Sequence, residues 1–200
     1  MYLFGAGGHS KVIAEIAESN KLKIDGFLVE RFIETDLNRS TLLGYEIFNN
    51  WSEEAFEVII AIGDNGVRKR IVNENKTFIY PKLIHPNTHI SERSILGNGS
   101  VIMAGVTINV DVNVGEHCII NTNASVDHDC IIEDYVHLSP NVALAGNVRV
   151  GEGTHIGIGA CVIQGVTIGK WVKIGAGAVI IRDVPDGCTV VGNPGRIIKK

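Results

Sequence analysis

Residues 102–126 read IMAGVTINVDVNVGEHCIINTNASV, and an aliphatic side chain returns at every sixth position of this stretch. The spacing continues without interruption in both directions. Four residues after each of these positions, from Ser94 to Val184, the side chain is small or β-branched. Such self-similarity at a fixed period indicates a repeat architecture. The sixteen aliphatic positions are Ile90, Leu96, Ile102, Ile108, Val114, Ile120, Val126, Ile132, Leu138, Leu144, Val150, Ile156, Val162, Ile168, Ile174 and Ile180.

An α-helix does not produce this pattern, because residues six apart are rotated by about 600° and so lie about 120° out of phase. Short strands joined by turns, one of each per six residues, can stack instead. Three such units make one triangular coil of about 18 residues, and stacked coils bury the aliphatic column that a single coil leaves exposed. Residues 88–184 are therefore predicted to form a β-helix of a little over five coils.

Glycine or asparagine follows the aliphatic residue in half of the hexads. Since these residues tolerate unusual backbone dihedrals, we expect them to form the corners of the coil. The positions are Gly97, Asn109, Gly115, Asn121, Gly151, Gly157, Gly169 and Gly175.

The preceding part of the chain has a different pattern, with apolar runs that alternate with helix-like stretches. Strands are predicted at residues 2–4, 24–29, 58–62 and 78–84, with one helix that carries Val12, Ile13, Ile16 and Ala17 and a second at 67–75. This alternation is typical of a small parallel sheet. Prolines at 81 and 86 interrupt the pattern. The prediction is an α/β, Rossmann-like domain at residues 1–84 and a β-helix domain with a C-terminal tail at 85–200.

Composition excludes several classes of protein. The chain is 45% hydrophobic and 20% charged, which is typical of a folded domain. A net charge of -4 gives no electrostatic reason to expect nucleic acid or an anionic membrane as partner, and the short basic runs at 68–70 and 199–200 are interpreted as solvated faces. Neither a signal peptide nor a long apolar segment is evident, so a cytoplasmic location is expected. The four cysteines lack CxxC spacing and are interpreted as small buried residues.

The repeat resembles the left-handed parallel β-helix of the hexapeptide-repeat acyltransferases, and the handedness is implied by this resemblance alone. Four motifs in order extend the resemblance to the bacterial nucleotide-sugar acetyltransferases: GAGGHS at 5–10, IAIGDN at 60–65, SVDHDC at 125–130 and VGNPGR at 191–196. That family includes N-acetyltransferases of UDP- or GDP-linked 4-amino sugars and sialic acid O-acetyltransferases.

Acetyl transfer from a thioester needs a base and donors for the developing oxyanion. His128 lies two residues after the interior Val126, in a turn where a side chain points outward, and is the predicted base. An exposed histidine without function is the alternative. A flanking carboxylate would fix the imidazole tautomer. The resemblance assigns this role to Asp129, with Asp127 as the second candidate.

One coil of 18 residues separates His128 from Gly146, so the glycine is expected directly above the histidine. The resemblance places an oxyanion-type contact at Gly146. The same offset stacks His137 beneath His155. By resemblance His137 contacts acetyl-CoA, and the cofactor runs near Ile158, Gly175 and Ala176.

A histidine pair also suggests metal, since some carbonic anhydrases share this coil. Those enzymes need three converging histidines, and neither His117 nor His128 falls in the column of His137 and His155. No metal is expected.

The GAGGHS motif approaches a dinucleotide fingerprint, although Ser10 stands where glycine or alanine is usual. Backbone N–H groups at a helix start attract any diphosphate. The resemblance therefore assigns Gly7, Gly8 and His9 to the nucleotide-sugar.

Acidic and polar residues end the next strands of the predicted sheet. Glu30 is expected to accept a hydrogen bond from a ribose hydroxyl or from the edge of a base. The related sequences carry paired acids there, whereas Val29 replaces the first one in this chain, which leaves the nucleotide open. Gly63, Asp64 and Asn65 end the third strand at the edge where ligands of open α/β sheets bind.

The sequence thus predicts an acetyl-CoA-dependent N-acetyltransferase that acts on a nucleotide-linked (UDP, GDP or dTDP) 4-amino-deoxysugar. A sugar O-acetyltransferase and a non-catalytic nucleotide-sensing scaffold are the alternatives. A homotrimer is expected from the resemblance, without nucleic acid or membrane as partner.

Overall fold

In the computed structural model, which describes residues 1–30, 41–51 and 55–199, the chain begins with an α/β domain. Strand β1 (Tyr2–Phe4) lies inside the sheet and pairs in parallel with β2 (Gly26–Leu28) on one side and β5 (Val58–Ile60) on the other. Strand β4 (Tyr45–Phe48) extends the sheet in parallel beyond β2, and β3 (Thr41–Leu42) pairs with β4 in antiparallel orientation. The elements are β1 (Tyr2–Phe4), α1 (Gly8–Ser19), β2 (Gly26–Leu28), β3 (Thr41–Leu42), β4 (Tyr45–Phe48), β5 (Val58–Ile60) and α2 (Asn65–Glu74).

The predicted small parallel sheet is thus confirmed, with two differences. The hairpin of β3 and β4 was not predicted. The predicted strand at 78–84 is wrong as a single element, because Ile79 forms an isolated bridge with Glu57 whereas the following strand joins the β-helix. Pro81 separates the two parts and supplies no N–H for a ladder. On α1, Ile13, Ile16 and Ala17 are buried as predicted, whereas Val12 is exposed.

The rest of the chain forms a parallel β-helix, built mainly of two-residue strands. Each strand from Leu83–Ile84 to Cys161–Val162 pairs with the strand 18 residues further on, as Thr107 does with Ser125 and Ile119 with His137. At the C-terminal end, Lys173 pairs with Thr189, and the last two strands pair in antiparallel orientation. The strands are β6 (Leu83–Ile84), β7 (His89–Ile90), β8 (Ile95–Leu96), β9 (Val101–Ile102), β10 (Thr107–Ile108), β11 (Asn113–Val114), β12 (Ile119–Ile120), β13 (Ser125–Val126), β14 (Ile131–Ile132), β15 (His137–Leu138), β16 (Ala143–Leu144), β17 (Arg149–Val150), β18 (His155–Ile156), β19 (Cys161–Val162), β20 (Thr167–Ile168), β21 (Lys173–Ile174), β22 (Val179–Ile180), β23 (Thr189–Val191) and β24 (Arg196–Lys199).

These strands build three faces of a prism. Face 1 contains β7, β10, β13, β16, β19 and β22; face 2 contains β8, β11, β14, β17 and β20; face 3 contains β6, β9, β12, β15, β18, β21, β23 and β24. The predicted aliphatic column fills the interior and is buried from Ile102 to Ile180. Only partial burial is reached by Ile90 and Leu96, which lie nearest the start of the coil. The six-residue period therefore determines both the coil and its core.

The corners correct one prediction. Positive φ does not occur at the glycine that directly follows the aliphatic residue but two residues later, as at Gly153 and Gly159. The first glycine has another cause: a Cβ on Gly151 would lie 2.6 Å from the carbonyl carbon of Gly169 in the next coil. These glycines are needed for close stacking of the coils. The non-glycine residues of the coil with positive φ are Asp111, His117, Asn123, Asp129, Tyr135, Asn141, Asn147 and Trp171.

The α/β domain packs against face 3. Leu3 and Ile13 share one buried cluster with Val101, Met103 and Ile119 of the coil. Because the domain covers face 3, the corner between faces 1 and 2 lies on the opposite side of the prism. Across the described residues, we find no helix with the length and apolar character that crossing a membrane requires.

The interpretation of the cysteines is confirmed for three of the four. Cys118, Cys130 and Cys188 are buried, whereas Cys161 is exposed because it lies on the outer surface of its strand.

Candidate active site

His128 occupies the corner between faces 1 and 2, directly after strand β13. Its side chain is 54% exposed, and its Nδ1 lies 2.7 Å from Oδ2 of Asp129. Asp129 adopts the left-handed conformation with φ of 60°, which is the shared conformation of this corner position in the coil. The carboxylate raises the pKa of His128 above its usual value, and the charge of Asp127 adds to this effect.

Asp127 has a different task. Its Oδ1 accepts from Nδ2 of Asn109 in the preceding coil and from the backbone N–H of His128, both at 2.8 Å. These two donors lower the pKa of Asp127. Of the two candidate acids, Asp129 contacts the imidazole ring, whereas Asp127 holds the turn that carries it.

Gly146 lies directly above the imidazole, as the 18-residue offset predicts. A Cβ at this position would lie 2.5 Å from Cε1 and 2.6 Å from Nε2 of His128, so no larger residue fits without moving the ring. Within the described ranges, the N–H of Gly146 has no hydrogen-bond acceptor. Gly146 thus leaves room for the imidazole ring, and its own N–H remains a free donor.

His137 and His155 stack on face 3 with ring centroids 4.6 Å apart and an angle of 5° between the planes. Asn121 fixes the tautomer of His137: its Oδ1 accepts from Thr122 N–H, so its Nδ2 donates to Nε2 of His137. The Nδ1–H of His137 then points to the carbonyl of Gly63 at 3.3 Å. Burial, with the nearby His155 and Arg68, lowers the pKa of His137 to about 3. The ring is neutral at physiological pH.

The other predicted cofactor residues lie at the corner between faces 3 and 1. Ile158 is 52% exposed and Ala176 is exposed, while Gly175 is half-buried. Ile158 and Ala176 occupy equivalent turn positions one coil apart, because β18 pairs with β21. This corner is therefore an exposed groove beside the face that carries His137.

A cavity of about 820 Å³ opens at the ends of β1, β2 and β5 in the α/β domain. Gly7, Gly8, His9, Glu30 and Gly63, all predicted to bind substrate, line it. Helix α1 starts at Gly8, where Gly7 and Gly8 line the cavity, and no side chain caps its first N–H groups. A Cβ at Gly7 or Gly8 would meet no atom within 4 Å. The cavity thus combines a helix N-terminus with open space for a ligand.

His9 forms one wall of this cavity and lies 6.3 Å from His137, measured between ring centroids. Burial, aided by the charge of Arg68, lowers the pKa of His9 to about 4. Its Nε2 is buried without a hydrogen-bond partner in the described part of the chain. His9 therefore connects the cavity to the histidine pair on the coil.

Arg70 is a cavity residue that the sequence interpretation missed. Its NH1 and NH2 donate to the two carboxylate oxygens of Glu30 at 2.6 and 2.8 Å, and NH1 also donates to Glu74. The basic run at 68–70 was interpreted as a solvated face because nothing in the sequence places α2 beside the end of β2. Glu30 and Arg70 form a charged pair at the cavity wall.

The structure also corrects that interpretation for Arg68. Its side chain is 1% exposed and donates to carbonyl oxygens of both domains, so it is a buried residue and not a solvated one. The sequence contained one usable sign: Arg68 lies three residues after Asn65 and so on the same face of α2.

Asp64 and Asn65, predicted to bind substrate, do not line the cavity. Asp64 is the N-cap of α2 and accepts from the N–H of Val67 at 2.8 Å. The amide of Asn65 is buried and donates to the carbonyls of Gly153 and Thr154 on the coil. Asn65 is thus buried against the coil, whereas Asp64 stays exposed at the start of α2.

The described residues contain no cluster of three or more His, Cys, Asp or Glu side chains that is suited to a metal ion. His128 lies at the corner opposite face 3, whereas the cavity lies beside face 3. Within one chain, the candidate base and the candidate substrate cavity are therefore on opposite sides of the prism.

Two protein families match parts of the chain. The family described as "PglD N-terminal domain" matches residues 1–75, and the family described as "Bacterial transferase hexapeptide (six repeats)" matches residues 147–182. The comparison with curated protein sequences gave no match.

Several solved structures are similar over nearly the whole chain. The acetyltransferase domain of PglB from Neisseria gonorrhoeae, in complex with acetyl coenzyme A, is 39% identical with a TM-score of 0.90 and 98% coverage of both chains. PerB from Caulobacter crescentus, in complex with CoA and GDP-perosamine, is 35% identical with a TM-score of 0.89, and the match covers 98% of this chain and 95% of that one. WeeI from Acinetobacter baumannii is 27% identical with a TM-score of 0.84 and 98% coverage of both. The chain belongs to the hexapeptide-repeat family of nucleotide-sugar acetyltransferases.

Proposed function

We propose that the protein transfers the acetyl group of acetyl-CoA to the amino group of a nucleotide-linked 4-amino-deoxysugar, with His128 as general base. The observation that carries this proposal is the hydrogen bond between His128 and Asp129 directly beneath Gly146. An exposed histidine without function would need neither an acid on Nδ1 nor a glycine above the ring.

The geometry supports one sequence of steps. Since Nδ1 of His128 is bonded to Asp129, Nε2 is the free acceptor and takes a proton from the attacking amine. The amine nitrogen bonds to the thioester carbonyl carbon, and the N–H of Gly146 donates to the resulting oxyanion. The carbon–sulfur bond then breaks, and protonated His128 returns the proton to the thiolate of CoA.

The co-substrate is acetyl-CoA, which is bound in the PglB domain, while CoA is bound in PerB. We propose that His137, Ile158, Gly175 and Ala176 contact it. Ile158 and Ala176 present equivalent exposed turns along one corner, which suits an extended pantetheine arm. No metal has a role in these steps.

The nucleotide-sugar is proposed to bind in the cavity of the α/β domain. The first N–H groups of α1, at Gly7 and Gly8, suit a diphosphate, and His9 and Gly63 line the way to the coil. Glu30 is placed to accept from the ribose or the base, with Arg70 beside it. GDP-perosamine is the ligand of PerB, and the base in this chain stays open among UDP, GDP and dTDP.

The positions of the two halves of the site support self-association. His128 and the cavity lie on opposite sides of the prism in one chain, so an association that brings the base of one subunit to the cavity of its neighbour would complete the site. A cyclic arrangement satisfies every subunit equally. We propose a homotrimer with three sites, each of which combines the His128 corner of one subunit with the cavity of the next.

The test is a mass-spectrometric screen of UDP-, GDP- and dTDP-linked sugars for the gain of one acetyl group in the presence of acetyl-CoA. Paired 4-amino and 4-hydroxy substrates separate N-acetylation from O-acetylation. Acetylation of a 4-amino sugar supports the proposal. Acetylation confined to hydroxy sugars, or no transfer with any substrate, contradicts it.

A further inference from the structure

Arg68 is a buried cation on the first turns of α2. Its side chain is 1% exposed, and no carboxylate of the described residues lies within 4 Å of its nitrogens. Burial lowers the pKa of Arg68 only to about 10, so the guanidinium keeps its charge at neutral pH. A buried charge is costly unless its hydrogen bonds are satisfied.

The hydrogen bonds of Arg68 join the substrate cavity to the coil. NH1 donates to the carbonyls of Ile62 and Gly63, which line the cavity, at 3.0 and 3.3 Å. Nε and NH2 donate to the carbonyls of His117 and Tyr135, each at 2.8 Å. The guanidinium therefore fixes one edge of the cavity against two successive coils at the corner between faces 2 and 3.

Asn65 extends this contact to a third coil. Its Oδ1 accepts from NH2 of Arg68 at 2.9 Å, and its Nδ2 donates to the carbonyl of Gly153 at 3.0 Å. His117, Tyr135 and Gly153 hold the same corner position, 18 residues apart, and all have positive φ. The left-handed corners turn their carbonyls toward α2, where Arg68 and Asn65 use them as a row of acceptors.

The charge of Arg68 also acts on the cavity. It helps to lower the pKa of His9, which lines the cavity, and those of His137 and His155 beside it. Removal of the guanidinium would leave four backbone carbonyls without this donor, so Arg68 also contributes to stability. Neutral carbonyl acceptors satisfy its hydrogen bonds but do not cancel its charge, and that charge favours an anionic ligand in the adjacent cavity.

We propose that Arg68 is a positioning residue of the nucleotide site: it holds the edge of the cavity at Ile62 and Gly63 in register with the coil, and its positive charge, which has no carboxylate in direct contact, favours a nucleoside diphosphate there. The inference rests on the proposed function in that it assumes a nucleotide in this cavity. It adds a residue that has no contact with the reacting atoms.

Binding of UDP, GDP, dTDP and acetyl-CoA to the 200-residue chain, measured by calorimetry, tests the proposal. The variants are Arg68→Met, which removes the charge and all five donors, and Arg68→Lys, which keeps the charge. Arg149→Met, an exposed position on face 2, is the matched control. Each variant is measured well below its melting temperature, and Asn65→Leu provides a second break in the same contact.

Arg68→Met is expected to weaken binding of the preferred nucleoside diphosphate about tenfold or more. The substitution removes both the hydrogen bonds that hold the cavity edge and the positive charge that attracts the diphosphate. Acetyl-CoA affinity should stay within about twofold, and Arg68→Lys should lie between the two. Should Arg68→Met not fold, the same selective loss in Arg68→Lys and Asn65→Leu supports the proposal.

Nucleotide affinity equal to wild type in the folded variants overturns the proposal, as does an equal loss of nucleotide and acetyl-CoA binding. A wild-type protein that binds acetyl-CoA but none of UDP, GDP and dTDP contradicts the nucleotide part of the proposed function instead. The two failures are therefore distinguishable.

Discussion

The coil and the α/β domain differ in how their sequences specify structure. In the coil, one local rule repeats: an aliphatic residue every six positions buries the same column, from Ile102 to Ile180, in every turn. In the α/β domain, individual long-range contacts determine the structure, such as the hydrogen bonds from Arg68 to the carbonyls of His117 and Tyr135. The fold of the coil can be predicted from a short stretch of its sequence, whereas the structure of the α/β domain also depends on the residues that it packs against.

The same contrast separates architecture from chemistry. The repeat positions of the coil are interior and chemically inert, while its candidate catalytic groups lie on the turns, at His128, Asp129 and Gly146. In the α/β domain, the residues that form the sheet edge also form the cavity. Substitutions in the coil should therefore separate activity from stability more cleanly than substitutions in the α/β domain.

Next to removal of the base itself, the largest effect is expected for Gly146→Ala. The added Cβ would lie 2.5 Å from Cε1 of His128, so the ring must move away from its position beside the free N–H of residue 146. We expect turnover to fall about 100-fold, because base and oxyanion donor are displaced together. Steady-state kinetics with acetyl-CoA and the identified sugar measure this effect.

Gly66→Ala is the matched control for this substitution, since its Cβ meets only Oδ1 of Asp64, at 3.4 Å. It should keep wild-type turnover. A Gly146→Ala enzyme with unchanged turnover would show that the space above His128 is not used.

A smaller effect is expected for Asp129→Asn. Because the carboxylate raises the pKa of His128, its removal should move the acidic limb of the pH–rate profile to lower pH. Turnover at the plateau should fall about tenfold, since the tautomer is no longer fixed. The profile of kcat/KM against pH gives both values. An acidic limb that stays in place would assign it to another group.

The smallest effect concerns stability and tests the packing between the two regions. His117 is buried at the corner of the coil whose carbonyls accept hydrogen bonds from Arg68. Burial, together with the charge of Arg68, lowers the pKa of His117 from 6.5 to about 4. The folded state therefore favours the neutral ring. Above pH 6.5 the titration of His117 does not affect the free energy of unfolding. Between pH 6.5 and pH 4 it lowers the free energy of unfolding by up to about 1.4 kcal/mol for each unit that the pH falls.

Replacement of His117 by Phe keeps the stacking on Tyr135 and removes this titration. The free energy of unfolding of His117→Phe, measured with urea at pH 7 and pH 5, should therefore fall less between the two values than that of the wild type. His89→Phe, at an exposed position of face 1, serves as control. Equal pH dependence in wild type and His117→Phe would contradict a neutral buried His117.

How much the sequence predicts follows the same division. Strict periodicity predicted the coil, its core, and the stacking of Gly146 above His128, because register in a parallel β-helix is a matter of counting. Periodicity did not predict which residues have positive φ. Some glycines are needed because the next coil lies too close for a Cβ, and others because the corner has positive φ, so the two kinds lie at different positions. Arg70 was missed because its partner Glu30 is 40 residues away in the chain and only the fold brings them together.

The central claim is that each site combines the base of one subunit with the cavity of its neighbour, and mixed oligomers test it. His128→Ala removes the base and is expected to lose most turnover while it still binds acetyl-CoA. Gly8→Glu leaves the coil intact and places a carboxylate at the start of α1, where it stabilises the helix but repels a diphosphate. Gly8→Ala, which meets no atom within 4 Å, controls for the loss of glycine.

Both variants should be inactive alone and active when unfolded and refolded together. Random mixing in a cyclic oligomer gives about one site in four an intact base next to an intact cavity, so about a quarter of wild-type turnover is expected. Mixed oligomers as inactive as the two parents would contradict the account.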